Sequence, residues 1–380
     1  MSNQDPSNIE QHFGDLKDPR SGDNISHPLI NIMTISICAV ICGANSWVDV
    51  EQFGEAKQSW LEQFLDMPHG IPSHDTIGRI FRLLDPVEFE AHFRAWTQHI
   101  CDLIEGEVVA VDGKQLRRSK DGSLGVDGIY MVNAWATENQ LSLAQAKVEN
   151  HTNEITAIPL LLKLLEIEDT TITIDAIGCQ TNIVEVISDQ DADYVIAAKE
   201  NQGTLLQDIQ TAFDCSEAHH DVAYHQTVNK GHGRIEKREC WAIDDPDIIA
   251  YINDYKTWKN LTSIVKVTSE RQLLDSGKVE TDTRYFISSL DADAQQLLHA
   301  VRAHWQVENS LHWVLDMAFR EDESRVRKDH APENFAVIRQ FALNLLKQDE
   351  SFDIGISAKR KRAGWDHSYL IKLLCQLETC

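Results

Sequence analysis

Between residues 26 and 104 the apolar positions recur in helical steps, and no run shows the two-residue alternation of a half-buried strand. An all-α domain is expected there, broken at Gly43, Gly54 and Gly70. In GIPSHDTIGRIFRLLDP, Ser73 offers a helix start, and Ile77, Ile80, Phe81 and Leu84 share a face fit for burial. His74, Arg79 and Arg82 project elsewhere, as they would on a packing helix or on one that enters a DNA groove. No charge falls between Pro28 and Val48, yet Asn31, Thr34, Ser36, Asn45 and Ser46 interrupt the segment and no basic flank orients it. That pattern predicts a buried helix and not a membrane span.

From about Gly106 the period changes. EVVAVDG predicts a strand ending in aspartate and glycine, and IYMVNAWAT and LSLAQAKVE predict two more, joined tightly through Glu138, Asn139 and Gln140. LLLKLLEI reads as a helix, TITIDAIG as a fourth strand and DYVIAAKEN, after a short helix, as a fifth. Three strands expected to be antiparallel, then helix, strand, helix and strand, point to a mixed sheet covered by helices, an α+β or α/β fold. Asp112 and Asp175 fall at strand ends, where such folds place their chemistry. From Asn201 to about Asp291 the alternation of helix and sheet is lost, and NKGHGRIEKREC, SIVKVTS and TRYFISSL read as an inserted β-rich segment. Helical periodicity returns from Ala294 to Leu346.

Composition adds a constraint. The formal charge of -25 weakens any sequence-independent hold on DNA, because phosphate affinity comes from counterions released at basic side chains. Basic residues do cluster, in KQLRRSK (Lys114, Arg117, Arg118, Lys120) and in KRKR (Lys359 to Arg362), each of which reads as a solvated surface or as a phosphate contact. The eight cysteines form no CxxC pair, as expected of a reduced, cytoplasmic chain, and the acidic, polar first residues are unlike a cleavable signal.

The densest chemistry lies in HWQVENSLHW, His304 to Trp313. On a regular helix His304, Glu308 and His312 follow at four-residue steps along one face, with Asp316 one turn further as an alternative to Glu308. A zinc site is one reading, although the spacing is not HExxH and no thiolate is near. Trp305 and Trp313 read as core or as platforms for unpaired bases, and Glu321, Asp322 and Glu323 as a solvated helix end. Were Asp112, Asp175 and Glu308 to converge, the pocket would be oxygen-rich and self-repelling, suited to Mg²⁺ or Mn²⁺ and to phosphodiester chemistry.

The phrases GIPSHDTIGRIFRLLDP, AVDGKQLRRS, NEITAIPLLL, TITIDAIGCQ, DYVIAAKENQ, NKGHGRIEKRE and HWQVENSLHWVLDMAFRED occur in an order that resembles DDE-type insertion-sequence transposases, in the branch of the H-repeat-associated proteins, over almost the whole chain. The resemblance implies a ribonuclease-H-like mixed sheet with flanking helices. The segments are then an acidic arm (1–25), a helical domain binding DNA ends (26–104), the first part of the catalytic core (105–200), the β-rich insertion (201–292), core helices (293–350) and a basic tail and helix (351–380). It implies that Asp112, Asp175 and Glu308 are the catalytic carboxylates, holding two Mg²⁺ or Mn²⁺ ions, and that Lys114, Arg117, Arg118, Lys199 and Asn201 touch DNA phosphates, with Gln202 beside them. The wider superfamily places an arginine four residues before the glutamate, a tyrosine seven before and a lysine seven after. Here those places hold His304, Val301 and Leu315, which leaves His304, Arg302 and His312 as candidates for the basic helper. The implied partners are double-stranded DNA, as terminal inverted repeats and target, and a second copy of the chain on that DNA, with no membrane. A domesticated DNA-binding relative that does not cleave, or a nuclease without strand transfer, would share this pattern.

Overall fold

The computed structural model describes residues 8–21, 25–101, 103–119, 128–149, 153–216, 222–231 and 233–375. Its centre is one nine-stranded sheet. The strands are β1 (Val108–Gln115), β2 (Tyr130–Ala136), β3 (Leu141–Val148), β4 (Thr171–Ile174), β5 (Asp193–Ala198), β6 (Ala223–Gly231), β7 (Arg234–Ile243), β8 (Ser263–Leu273) and β9 (Val279–Ser288). They lie in the order β3-β2-β1-β4-β5-β9-β8-β7-β6, with only the β1/β4 and β4/β5 pairs parallel. The first three strands pair antiparallel as expected, and the β2–β3 turn sets Gln140 at φ 54°. The helix read at LLLKLLEI lies earlier, at Glu154–Leu162, with Asn153 at its N-cap position and Pro159 inside it.

One expectation needs correction between 201 and 292. Helices Gly203–Ser216 and Pro246–Tyr255 lie there, so helix and strand do alternate. The first buries Leu205, Ile209, Ala212 and Phe213 at helical steps, and the second starts where Asp245 accepts from the backbone N–H groups of Asp247 and Ile248 ahead of Pro246. The inserted strands join the same sheet. β9 pairs with β5, Val195 opposite Ser288 through Ala198 opposite Tyr285, and so continues the same sheet.

Residues 8–101 carry helices only among those described, including Leu29–Ile41, Trp47–Leu61, His74–Leu83 and Pro86–Ile100. Gly43 and Gly70 break the chain at φ 113° and 69°. Gly54 does not; it sits inside Trp47–Leu61, where a Cβ would come within 2.6 Å of Ile71 Cγ2. The uncharged stretch becomes the 13-residue helix Leu29–Ile41, almost wholly buried, and no described helix is long and apolar enough to cross a membrane.

These helices share one core with Ala331–Gln348 and with Ile356–Trp365 and His367–Cys375. The KRKR run is part of that core. Lys359 donates to the carbonyls of Leu346 and Asp349 at the end of Ala331–Gln348, and Arg360 donates to the carbonyls of Val40, Ala44 and Ala318 while stacking 4.1 Å from the Phe319 ring. The expected basic DNA-contacting tail is therefore corrected: two of its four cations are buried structural donors. Arg360→Met should lower unfolding free energy by roughly 3 kcal/mol, since three carbonyls lose a charged donor, whereas exposed Lys361→Met should stay within about 0.5 kcal/mol. Urea titration of both variants measures the contrast.

Candidate active site

β1 and β4 run parallel with Val111 beside Ile174, so the next residues, Asp112 and Asp175, emerge together at the same sheet edge. Asp175 leaves β4 and caps the short turn Ala176–Gly178, its carboxylate accepting the Ile177 N–H at 3.0 Å. The loop after β5 is tied to this turn. Asn201 donates to the Ala176 carbonyl at 2.7 Å and Gln202 to the Cys179 carbonyl at 2.7 Å. The Asn201 amide thus positions the Asp175 turn, while Lys199 stands exposed beside it.

Glu308 reaches the site from a helix that is not regular. Ala294–Gln306 passes into a π-helical turn, Val307–His312, before Trp313–Phe319 resumes, and the Trp313 N–H reaches back five residues to the Glu308 carbonyl. The wide turn separates what a regular helix would align. Glu308 is exposed, whereas His304 and His312 turn toward the sheet, His304 Nδ1 to Thr173 Oγ1 at 3.2 Å and His312 Nε2 to Asn133 Nδ2 at 3.3 Å. Among the described residues no three His, Cys, Asp or Glu side chains gather tightly enough to hold a metal ion, neither His304, Glu308 and His312 nor Asp112, Asp175 and Glu308.

Asp112 feels its acidic neighbours. Burial, then repulsion from Asp175, Glu308 and Glu154, pushes the Asp112 carboxyl up to about 7 against a hydrogen bond from the Gly113 backbone. Glu154 is a participant that sequence reasoning missed. Burial and Asp175 raise its carboxyl, Tyr130 hydrogen-bonds it, and a Cβ on Gly113 would fall 1.9 Å from its Oε1, so glycine leaves room for it. Its signal was NEITAIPLLL, in which Glu154 opens a helix beside the strands. His312 is held neutral by burial and by nearby Lys114, down to about 3, and burial likewise lowers His304.

The raised Asp112 gives a stability prediction for the metal-free chain. The folded state keeps a proton there that the unfolded chain has released above its ordinary 3.8, so the stabilising contribution is present at low pH and lost as pH rises through about 7. Asp112→Asn should therefore be more stable than the native chain by on the order of 2–4 kcal/mol at pH 8 and close to it at pH 4. Melting curves at the two pH values check the sign.

The remaining expected phosphate contacts differ in availability. Lys114 is corrected: its ammonium donates to Asp316 Oδ1 at 2.6 Å, Glu321 Oε2 at 2.8 Å and the His312 carbonyl at 3.2 Å, leaving no proton for phosphate. Asp316 is thereby engaged away from Asp112, and Glu321 is a buried ion-pair partner and not part of a solvated helix end. Arg117 is exposed and 3.3 Å from Asp322, and Arg118 is exposed. Arg302 is exposed and lines a groove of about 740 Å³ between β7–β9 and Ala294–Gln306. Arg234, Arg238, Arg271 and Arg284 also line it, Trp305 stacks 4.7 Å from the Arg284 guanidinium, and Glu308 sits on its wall.

Comparison with known proteins gives the family. Residues 103–345 match the family described as Transposase DDE domain, and residues 10–97 match its associated domain, DDE_Tnp_1-associated. The chain belongs to the DDE transposase family. It is 38% identical over 362 residues to "Putative transposase YncI" of Escherichia coli O157:H7, covering 94% of this chain and 92% of that one. It is also 37% identical over 369 residues to "H repeat-associated putative transposase YhhI" of Escherichia coli strain K12, covering 96% and 97%.

Proposed function

We propose that the chain cuts DNA at the ends of its own insertion sequence and joins the freed ends to target DNA, with Asp112, Asp175 and Glu308 as the reacting centre. The observation that carries this is the parallel pairing of β1 with β4, which sets Asp112 beside Asp175, with Glu308 near enough that it and Asp175 add to burial in raising the Asp112 carboxyl to about 7. Three antiparallel strands followed by two parallel ones, β3-β2-β1-β4-β5, support a ribonuclease-H-like reading of that half of the sheet. The donor chemistry, three carboxylates and no thiolate, suits a hard divalent cation, which would have to draw the three together, since no three described acidic side chains stand close enough to hold an ion. Asp112, Asp175 and Glu308 would hold Mg²⁺ or Mn²⁺, which when bound polarises phosphodiester oxygens as a Lewis acid.

The chain's own groups do the rest. Water attacks the phosphorus and the P–O3′ bond breaks, leaving a 3′-hydroxyl and a 5′-phosphate. That hydroxyl then attacks a target phosphodiester and displaces its 3′-oxygen. Lys199, exposed beside the Asp175 turn, and Arg302 offer positive charge to the phosphates; the groove's other arginines are ion-paired, Arg234, Arg238 and Arg271 to Glu236 and Arg284 to Asp282, so the groove adds little net charge to a chain of -25. The helices of residues 26–104 would bind the terminal repeats, and two copies would bring two ends together.

Binding to a duplex carrying the element's own end, against a scrambled duplex, tests the reading over a salt series. Preference for the end supports a transposase, and equal binding favours a plain nuclease. Arg302→Ala should weaken both duplexes alike and reduce the slope of log affinity against log salt by about one.

A further inference from the structure

Behind Asp112 lies a row of amides on the largely buried strands β2 and β3. Asn133 is directly opposite Asp112 in the β1–β2 register, and Gln145 is directly opposite Asn133 in the β2–β3 register, so the three side chains share one face of the sheet. Gln340 reaches down onto them from Ala331–Gln348. Asn133, Gln145 and Gln340 are 2%, 4% and 2% exposed, so each unmade hydrogen bond would be costly.

The direction of every bond in the row follows from its far end. The Glu333 carbonyl can only accept, so Gln145 presents its Nε2 there, at 3.5 Å, and its Oε1 to Gln340. Gln340 Nε2 donates to Gln145 Oε1 and to Asn133 Oδ1, both at 2.7 Å, while its own Oε1 accepts from Ser142 Oγ at 2.7 Å. Asn133, having used its oxygen, turns its NH₂ to His312 Nε2 at 3.3 Å. Nε2 must then be the accepting nitrogen, and the ring proton sits on Nδ1, which stands 3.5 Å from Asp112 Oδ2.

We infer that His312 is a positioning residue for Asp112, locked by Asn133 and Gln340 as the tautomer that turns its Nδ1–H toward that carboxylate. The inference rests on the reading of Asp112 as a reacting carboxylate. The 3.5 Å separation is long for a hydrogen bond, yet the N–H dipole fixes which way the carboxylate faces, as partners behind ligating groups commonly do. The π-helical turn is what brings the ring inward.

The test joins a spectrum to a substitution series in the full chain. ¹⁵N spectra of histidine-labelled protein, with His312 assigned by its loss in His312→Asn, should show a protonated Nδ1 and an unprotonated Nε2. His312→Leu should weaken Mn²⁺ binding and cleavage by about 10- to 100-fold. His312→Asn, whose NH₂ falls near the place of Nδ1, should restore most of both, whereas His312→Gln, which reaches the place of Nε2, should not. Asn133→Leu should give an intermediate loss together with a mixed tautomer. A proton on Nε2 in the native chain, or native-like Mn²⁺ binding and cleavage by His312→Leu where Asp112→Asn abolishes both, would overturn this inference alone. Cleavage surviving Asp112→Asn would overturn the parent reading, and this inference with it.

Discussion

Lys114→Met should destabilise the chain by about 3–5 kcal/mol, the cost of breaking a buried ion pair from one side. The lysine stem leaves β1 and its ammonium ties Asp316 and buried Glu321 to the strand that carries Asp112. Without it Glu321 keeps only Arg339, 3.6 Å away and itself buried. Burial alone would lower the Lys114 ammonium and raise the Glu321 carboxyl, but each holds the other in its charged form, the lysine above its ordinary 10.5 and the glutamate below its ordinary 4.5. The sign follows. The Glu321 contribution is present above 4.5 and is lost as pH falls through its lower folded value, while the Lys114 contribution is present below 10.5 and is lost above it. The gap between native and Lys114→Met unfolding should thus be widest near pH 7 and narrow below about pH 4. Arg117→Ala, three residues on but largely exposed, should change stability by less than about 1 kcal/mol. Equal losses in the two variants would contradict the assignment of Lys114 to the interior.

Glu308→Gln should lower DNA cleavage at least about 1,000-fold, because several kcal/mol of charge stabilisation at the phosphate depend on that carboxylate. Asp316→Asn separates this from a mere helix effect. Asp316 lies further along the same helical segment, yet its carboxylate is spent on Lys114, so its loss should cost about 1–3 kcal/mol of stability and leave cleavage within a few-fold of native. The reverse pattern, with cleavage lost in Asp316→Asn and kept in Glu308→Gln, would move the third carboxylate along the helix. Single-turnover cleavage with both variants below their melting temperatures gives the comparison.

Much of this was legible in the chain. β-rich runs marked β1, β2 and β3, and Asp175 does come at the end of β4, whereas Asp112 lies within β1, which pairs on to Gln115; the parallel β1/β4 pairing that sets the two aspartates together is a tertiary partnership. What escaped depends on tertiary partners. Lys359 and Arg360 look like solvent-facing cations until the carbonyls they satisfy are in place, and Lys114 looks like a phosphate contact until Glu321 folds back on it. The four-residue spacing of His304, Glu308 and His312 suggested one shared face; the π-helical turn sends the histidines inward and leaves the glutamate at the rim. Asn133 and Gln145 did leave a trace, as amides at the centres of apolar strands where an unpaired polar group would be costly.

The central claim is that a cluster of carboxylates at one sheet edge cuts DNA at the ends of the element. The most direct test is to incubate the native chain and Mg²⁺ with a labelled duplex in which the element's terminal repeat runs into flanking DNA, and to map the products. A cut at that junction leaving a 3′-hydroxyl, dependent on Mg²⁺ and absent from a duplex with a scrambled repeat, is expected. Cleavage indifferent to the repeat, or intact end binding with no cut at any divalent ion concentration, would contradict it.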